Sequence, residues 1–394
     1  MDQRTYALTH LRTLGLMTEE QQQIRDLARE FADGELRPHA EEWDREAHFP
    51  REVVQKLGEL GFLGMLLPEQ YEGLGMDTAT YLIALEEIAR GDASVAVAMS
   101  VHNSLPTQMI LAHGTDAQKE RWLMPMARGE WLGAFSLSEP DAGSDAARMA
   151  AQARRVDGGW VLNGAKAWVT NGGFGDVVVA MARTDTPDDR RGAKGIGAFI
   201  VPTDAEGYIV GKKEDKMGQR ASETVGIAFR DLFVADDQVL GDPSLGFIYA
   251  LQGLDGGRMG IAAVATGIAQ AALEHAVRYA DERKQFGTPI RAFQGMQFKL
   301  ANMAMRVEAA RSLVMRAAAA KDAGRPEARL SSMAKLFASE AAMYVTTEAV
   351  QVFGGYGYVK EYPVERLFRD AKVTEIYEGT SEIQRTVIAR ELYR

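Results

Sequence analysis

A chain of 394 residues with 46% hydrophobic and 25% charged residues has room for two or three domains and a large core. Its formal net charge of −10 argues against binding a phosphate backbone, which needs concentrated Lys and Arg. The absence of cysteine removes disulfides, thiolate nucleophiles, iron–sulfur clusters and Cys-based zinc sites, and six histidines show no paired metal-ligand spacing such as H-E-x-x-H.

The N-terminus lacks the apolar stretch of a signal peptide and shows no evident transit peptide, and no apolar run approaches the ~18 residues of a membrane span, so a cytoplasmic protein is expected, or a mitochondrial-matrix one if the source is eukaryotic. The first 130 residues read as helices. "TEEQQQIRDLAREFA" opens with a capping box, Thr18 and Gln21, and Ile24, Leu27, Ala28 and Phe31 follow at helical spacing. Pro38 ends or disturbs this helix. "DTATYLIALEEIARGD" repeats the pattern and is expected to stop at Gly91. "ASVAVAMSV" (93–101) suits a buried helix.

From about residue 133 the texture changes. "GWVLNGAKAWVTNGG", "DVVVAMART", "GIGAFIVP" and "VGIAFRDLFVA" are short β-prone runs punctuated by Gly, Asn, Asp and Pro. Asp157-Gly158 is a hairpin-turn signal, and 185–194 reads as a charged surface loop. After Gly246 helical spacing returns, with Leu300, Met303, Val307, Ala310 and Val314 on one stripe that suits the core of a bundle. There is no G-x-x-x-x-G-K-[ST] and no G-x-G-x-x-G between a strand and a helix, which argues against a Rossmann dehydrogenase.

Three stretches carry chemistry. "FSLSEPDAGSD" (135–145) alternates apolar residues with hydroxyls. "KAWVTNGG" (166–173) places Trp168 and Thr170 on one side of a strand. There a flat indole beside a hydroxyl suits either a heteroaromatic ring or a core Trp with a strand-capping Thr. "TEIYEGTSEIQR" (374–385) lodges Glu378 between an aromatic residue and a glycine. An isolated Glu-Gly is ordinarily a solvated turn.

These stretches, with "LDGGRMGIAA", "RKQFG" and "QVFGGYGYVKEYPVERLFRD", resemble the acyl-CoA dehydrogenase family in order and spacing over nearly the whole chain. The resemblance implies an α+β fold: an N-terminal helical domain (1–132), a middle antiparallel β-domain (133–245) and a C-terminal four-helix bundle (246–394). It implies FAD as cofactor, an acyl-CoA thioester as substrate, an electron-transfer flavoprotein as partner, and a homotetramer. Phe135, Leu137, Ser138, Trp168 and Thr170 match positions lining the flavin ring. Arg283, Phe286, Gln351 and Gly355 resemble positions that bind the FAD pyrophosphate and adenosine across a subunit interface. Thr380 and Glu382 match further FAD positions, although Glu382 stands where other members carry an amide. Ser144, Asp255, Arg258, Tyr377 and Gly379 match substrate-side positions.

Glu378 occupies the position of the family's general base, which takes the α-proton of the thioester while the β-carbon gives hydride to the flavin. Such a carboxylate needs a raised pKa, and Ile376 and Tyr377 are expected to supply apolar surroundings. The resemblance further implies that the Glu378 backbone N–H stabilises the thioester oxygen. Some members carry the base on the Asp-x-x-Arg helix instead; here that position is Gly257, which cannot serve. Acyl-CoA oxidases usually carry a further C-terminal domain, and a non-catalytic acyl-CoA-binding relative would have no need of a base. "AVAMSVHNSL" (96–105) most resembles short-chain and short branched-chain members. Glutaryl-CoA enzymes place an arginine where this chain has Ala96, and no Lys or Arg lies between Gly91 and Lys119. A short monocarboxylic acyl group is therefore expected, because a buried unpaired charge is costly.

Overall fold

The structure is a computed structural model that describes residues 17–185 and 192–393; most of the charged stretch 185–194 lies outside the described residues. The first helix, α1 (Glu19–Phe31), begins with the expected capping box, Thr18 and Gln21 exchanging backbone-to-side-chain hydrogen bonds of 3.2 Å each. It passes into a single π-turn (Ala32–Leu36) just before Pro38. Two helices, α2 (Ala40–Glu46) and α3 (Arg51–Glu59), lead to α4 (Thr78–Gly91) and α5 (Ala93–Ser104).

α4 ends at Gly91, as its sequence leads one to expect, and α5 follows after a single residue. The chain turns at Asp92 (φ −153, ψ 121), whose side chain accepts from Val95 N at 2.9 Å and caps α5. Gly91 is needed for packing, because a Cβ there would stand 2.8 Å from that of Ala32. Every residue of α5 is buried. Helices α6 (Pro106–His113) and α7 (Asp116–Ala127) complete this segment.

Among the described residues seven strands follow: β1 (Gly133–Ser136), β2 (Gln152–Val156), β3 (Gly159–Thr170), β4 (Val177–Arg183), β5 (Ile196–Pro202), β6 (Tyr208–Lys213) and β7 (Thr224–Ala235). The sheet order is β1-β4-β2-β3-β7-β6, with β5 on β4. Residues 157–158 form the expected hairpin between β2 and β3, with Gly158 at φ 74. The sheet is mixed, which corrects the wholly antiparallel expectation. β1 runs parallel to β4, because the long excursion through residues 137–176 returns the chain in the same direction.

The remaining helices are α8 (Gly246–Glu282), α9 (Gln294–Asp322), α10 (Ala328–Phe353), α11 (Val364–Lys372) and α12 (Ser381–Glu391), with a short β8–β9 hairpin (284–285, 288–289) after α8. α8 is long and apolar enough to cross a membrane by composition, but 89% of its most apolar window is buried inside the fold. It is the central core helix. Leu85 and Ile88 of α4, Ile268 of α8, Val307 of α9 and Val345 of α10 belong to one hydrophobic core. The helices before and after the β-sheet thus pack as one body, and Glu378 is carried by the turn that leads into α12.

Candidate active site

Residues 376–380 link the last turn of the α11 region to α12, whose N-cap is Thr380, accepting from Ile383 N at 3.4 Å. Glu378 (φ 51) and Gly379 (φ 94) are consecutive left-handed residues, a conformation that disfavours a side chain at the first of them. Gln384 Nε2 donates to the Glu378 and Gly379 carbonyls at 3.2 and 2.8 Å, and Lys335 Nζ donates to the Gly379 carbonyl at 2.8 Å.

This backbone aims the Glu378 carboxylate at α8, where Gly257 has no side chain to obstruct it. Both carboxylate oxygens are buried, and neither has a hydrogen-bond partner among the described residues. Burial pushes the carboxyl up to about 7, against the opposing charges of Lys335 and Arg258. Tyr377 packs beside Val97, Val101, Leu105 and Ile261, with Phe135 and Leu254, as one apolar cluster. Its hydroxyl accepts from Gln219 Nε2 at 3.1 Å. Ile376 does not join them. It is 52% exposed, so the apolar surroundings come from α5 and α8 instead.

The β-sheet brings its own residues together. Ala167 N donates to the Ser138 carbonyl at 2.9 Å and Lys166 Nζ to the Leu137 carbonyl at 3.2 Å, which lays 135–138 along the end of β3. The register shifts between Lys166 and Val169, and Trp168 is left-handed (φ 62). Trp168 is therefore displayed by a bulge, which corrects the simple strand alternation that pairs it with Thr170. Its indole is 64% exposed, while Val169 beside it is buried. A planar apolar face offered in this way, flanked by the part-exposed Phe135, Leu137, Ser138 and Thr170, fits a heteroaromatic ring such as that of FAD.

The other expected residues fall in two places. Arg258 Nη1 donates to Asp255 Oδ1 at 2.5 Å on α8, close to Glu378. Arg283 lies over the Tyr356 ring at 5.5 Å, which puts the β8–β9 hairpin with Phe286 beside the 354–358 turn with Gly355, near Gln351 at the end of α10. Phe286 is 95% exposed and left-handed (φ 51). Ser144 is exposed on the loop after β1, and Glu382 is exposed in the first turn of α12.

Two anchoring residues escaped the sequence reading. Asn171, buried and left-handed (φ 62), donates through Nδ2 to the Ala98 carbonyl of α5 at 3.2 Å and the Gly133 carbonyl of β1 at 3.1 Å. His102, buried on α5, accepts from Gly133 N at 2.9 Å, and burial lowers its pKa to about 4. Together they fasten the apolar helix to the strand that precedes 135–138. Asn in the turn-prone "TNGG" was the available signal for the first.

Family comparisons agree with this geometry. The acyl-CoA dehydrogenase N-terminal, middle and C-terminal domains match residues 18–130, 134–232 and 245–393. The chain belongs to the acyl-CoA dehydrogenase family. It is 50% identical over 378 residues to the mitochondrial short-chain specific acyl-CoA dehydrogenase of Rattus norvegicus, covering 96% of this chain and 91% of that protein. Butyryl-CoA dehydrogenase from Megasphaera elsdenii superimposes with a TM-score of 0.94 at 45% identity, over 97% of this chain and all of the other. A solved chain described with the electron transferring flavoprotein of Acidaminococcus fermentans gives the same TM-score and identity over the same shares. This acyl-CoA dehydrogenase is thus an FAD-dependent oxidoreductase acting on a CH–CH bond.

Proposed function

We propose that this enzyme dehydrogenates a short monocarboxylic acyl-CoA to its trans-2-enoyl-CoA, with Glu378 as the base that removes the α-proton. One observation carries the reading: a buried carboxylate raised to about 7, with no hydrogen-bond partner among the described residues, next in the chain to Tyr377 of an apolar cluster. A carboxylate left without a donor keeps its basicity, and burial removes the water that would otherwise compete for its lone pairs. The apolar side chains of α5 take the acyl chain, and Tyr377 flanks the thioester. The Glu378 backbone N–H donates to the thioester oxygen, so that the charge developing there meets a fixed dipole. Bound FAD supplies the acceptor for the β-hydride. Trp168, Thr170 and residues 135–138 would hold its ring, and Thr380 and Glu382 would contact it as well.

The substrate reading is supported by what lines the cluster. Val97, Val101, Leu105, Ile261 and Leu254 carry no charge that could pair a second substrate carboxylate. Arg283, Phe286, Gln351 and Gly355 complete the FAD site of a neighbouring subunit in a homotetramer. Electron-transfer flavoprotein is the electron acceptor, and a cytoplasmic location goes with this reading. Anaerobic mixing of the yellow enzyme with straight, branched and dicarboxylic acyl-CoAs tests it. Rapid bleaching by butyryl-CoA or a methyl-branched analogue, and slower bleaching by glutaryl-CoA, is expected. The reverse order would overturn the substrate reading.

A further inference from the structure

Lys335 is a buried cation at this site that the reaction as described leaves without a role. It sits in α10 within the helical core and has no exposed surface. An ammonium in that position loses its hydration and persists only where partners compensate. Its hydrogen-bond partner is the Gly379 carbonyl at 2.8 Å. That carbonyl also accepts from Gln384 Nε2, which lies only five residues away along the chain and moves with the turn. Lys335 is 44 residues away and ties the turn to the core. The left-handed backbone at Glu378 is unfavourable for a residue with a side chain, so an outside restraint of this kind is required to hold it.

The charges around the base point the same way. Among the described residues, the groups that interact electrostatically with the Glu378 carboxylate are Lys335 from α10, Arg258 from α8, Tyr81 from α4, and Tyr377 on the same turn. Burial raises both tyrosine hydroxyls above their ordinary range, so they stay neutral. The Arg258 guanidinium is engaged by Asp255. Lys335 feels Glu378 more strongly than the acids Glu375 and Glu382, and Arg258 opposes it; burial brings its own pKa down to about 8.

We propose that Lys335 is a positioning residue for the base. Its ammonium fixes the Glu378–Gly379 turn through the Gly379 carbonyl, and its charge, close to the carboxylate without bonding to it, sets the pH at which the base becomes available. The inference rests on Glu378 being the base. Removing the positive charge disfavours the carboxylate form, so Glu378 then ionises at higher pH.

The test compares pH profiles of kcat for Lys335→Met, Lys335→Gln and Lys335→Arg with the parent holoenzyme, with flavin content and melting temperature measured on each. Methionine removes charge and donor: the acid limb moves up by about one pH unit and the plateau falls roughly tenfold. Glutamine removes the charge but keeps a donor, so the limb moves as far and the plateau falls less. Arginine keeps the charge and leaves the limb in place. An acid limb that stays put in both neutral variants overturns the electrostatic role, whatever happens to stability. Equal plateau losses for methionine and glutamine overturn the positioning role. Glu378→Gln run alongside separates the two readings: turnover retained there removes the base assignment itself, whereas an inactive Glu378→Gln with unmoved limbs removes the Lys335 role alone.

Discussion

The Glu378 carboxylate rests against the bare α-carbon of Gly257: a Cβ placed there would stand 2.0 Å from Oε2 and 2.8 Å from Cδ. No side chain other than hydrogen fits while the carboxylate holds this position. Gly257→Ala is compatible with the helix backbone and even favours it. It must, however, displace the carboxylate. The variant is expected to fold and hold FAD but to lose about a hundredfold in kcat, a size typical of a misplaced catalytic group. Steady-state turnover beside a flavin spectrum checks this.

Glu378 also couples stability to pH. Its carboxyl is raised from 4.5 to about 7 by burial, so the folded state holds a proton that the unfolded chain has released. That stabilising contribution is fully present below pH 4.5 and is lost as the pH rises through about 7. Glu378→Gln lacks this loss. Its melting temperature relative to the parent is expected to climb by a few degrees, on the order of the effect of 1–2 kcal/mol, between pH 5 and pH 8. Thermal scans at the two pH values decide it, and a constant difference would mean that the carboxyl is not raised.

Asn171 is the clearest case of a polar residue holding three elements in place, since its amide bonds the carbonyls of Ala98 and Gly133. Asn171→Asp keeps a residue tolerant of left-handed backbone but turns a carboxylate toward two carbonyl oxygens. A destabilisation of roughly 2–4 kcal/mol is expected, with faster loss of FAD, because α5 and β1 are no longer fastened. Denaturant midpoints and flavin retention on a desalting column measure both.

Assembly gives a separate prediction. Phe286 is 95%, Tyr358 87%, Met305 62% and Phe298 61% exposed, and all four lie in the segment after the β-sheet, where contact with a second subunit would cover them. Light scattering is expected to give the mass of a tetramer. Arg283→Glu is expected to weaken association and FAD retention together, because binding and assembly are linked. A flavin-loaded monomer would contradict it.

The sequence disclosed the helix–sheet–helix order, the Thr18–Gln21 cap and the position of Glu378, because these depend on local spacing and on motifs contiguous in the chain. It did not disclose what surrounds Glu378. Ile376 is only two residues away in sequence yet is half exposed, whereas Val97, Val101 and Ile261 come from two distant helices. Gly257 was legible only as a residue unable to act as base; its role as the floor beneath the carboxylate needs α8 and residues 376–380 in one frame. The parallel β1–β4 pairing and the bulge at Trp168 likewise depend on register between strands, which alternation within one strand does not carry.

The most direct test of Glu378 as base is the rate of flavin reduction by butyryl-CoA in Glu378→Gln, followed anaerobically in rapid mixing. The amide preserves shape, so FAD content and acyl-CoA binding should match those of the parent enzyme. Reduction should fall by several orders of magnitude, because an amide cannot take up the α-proton. Reduction within about tenfold of the parent rate would contradict the assignment and turn attention to Asp255 on α8.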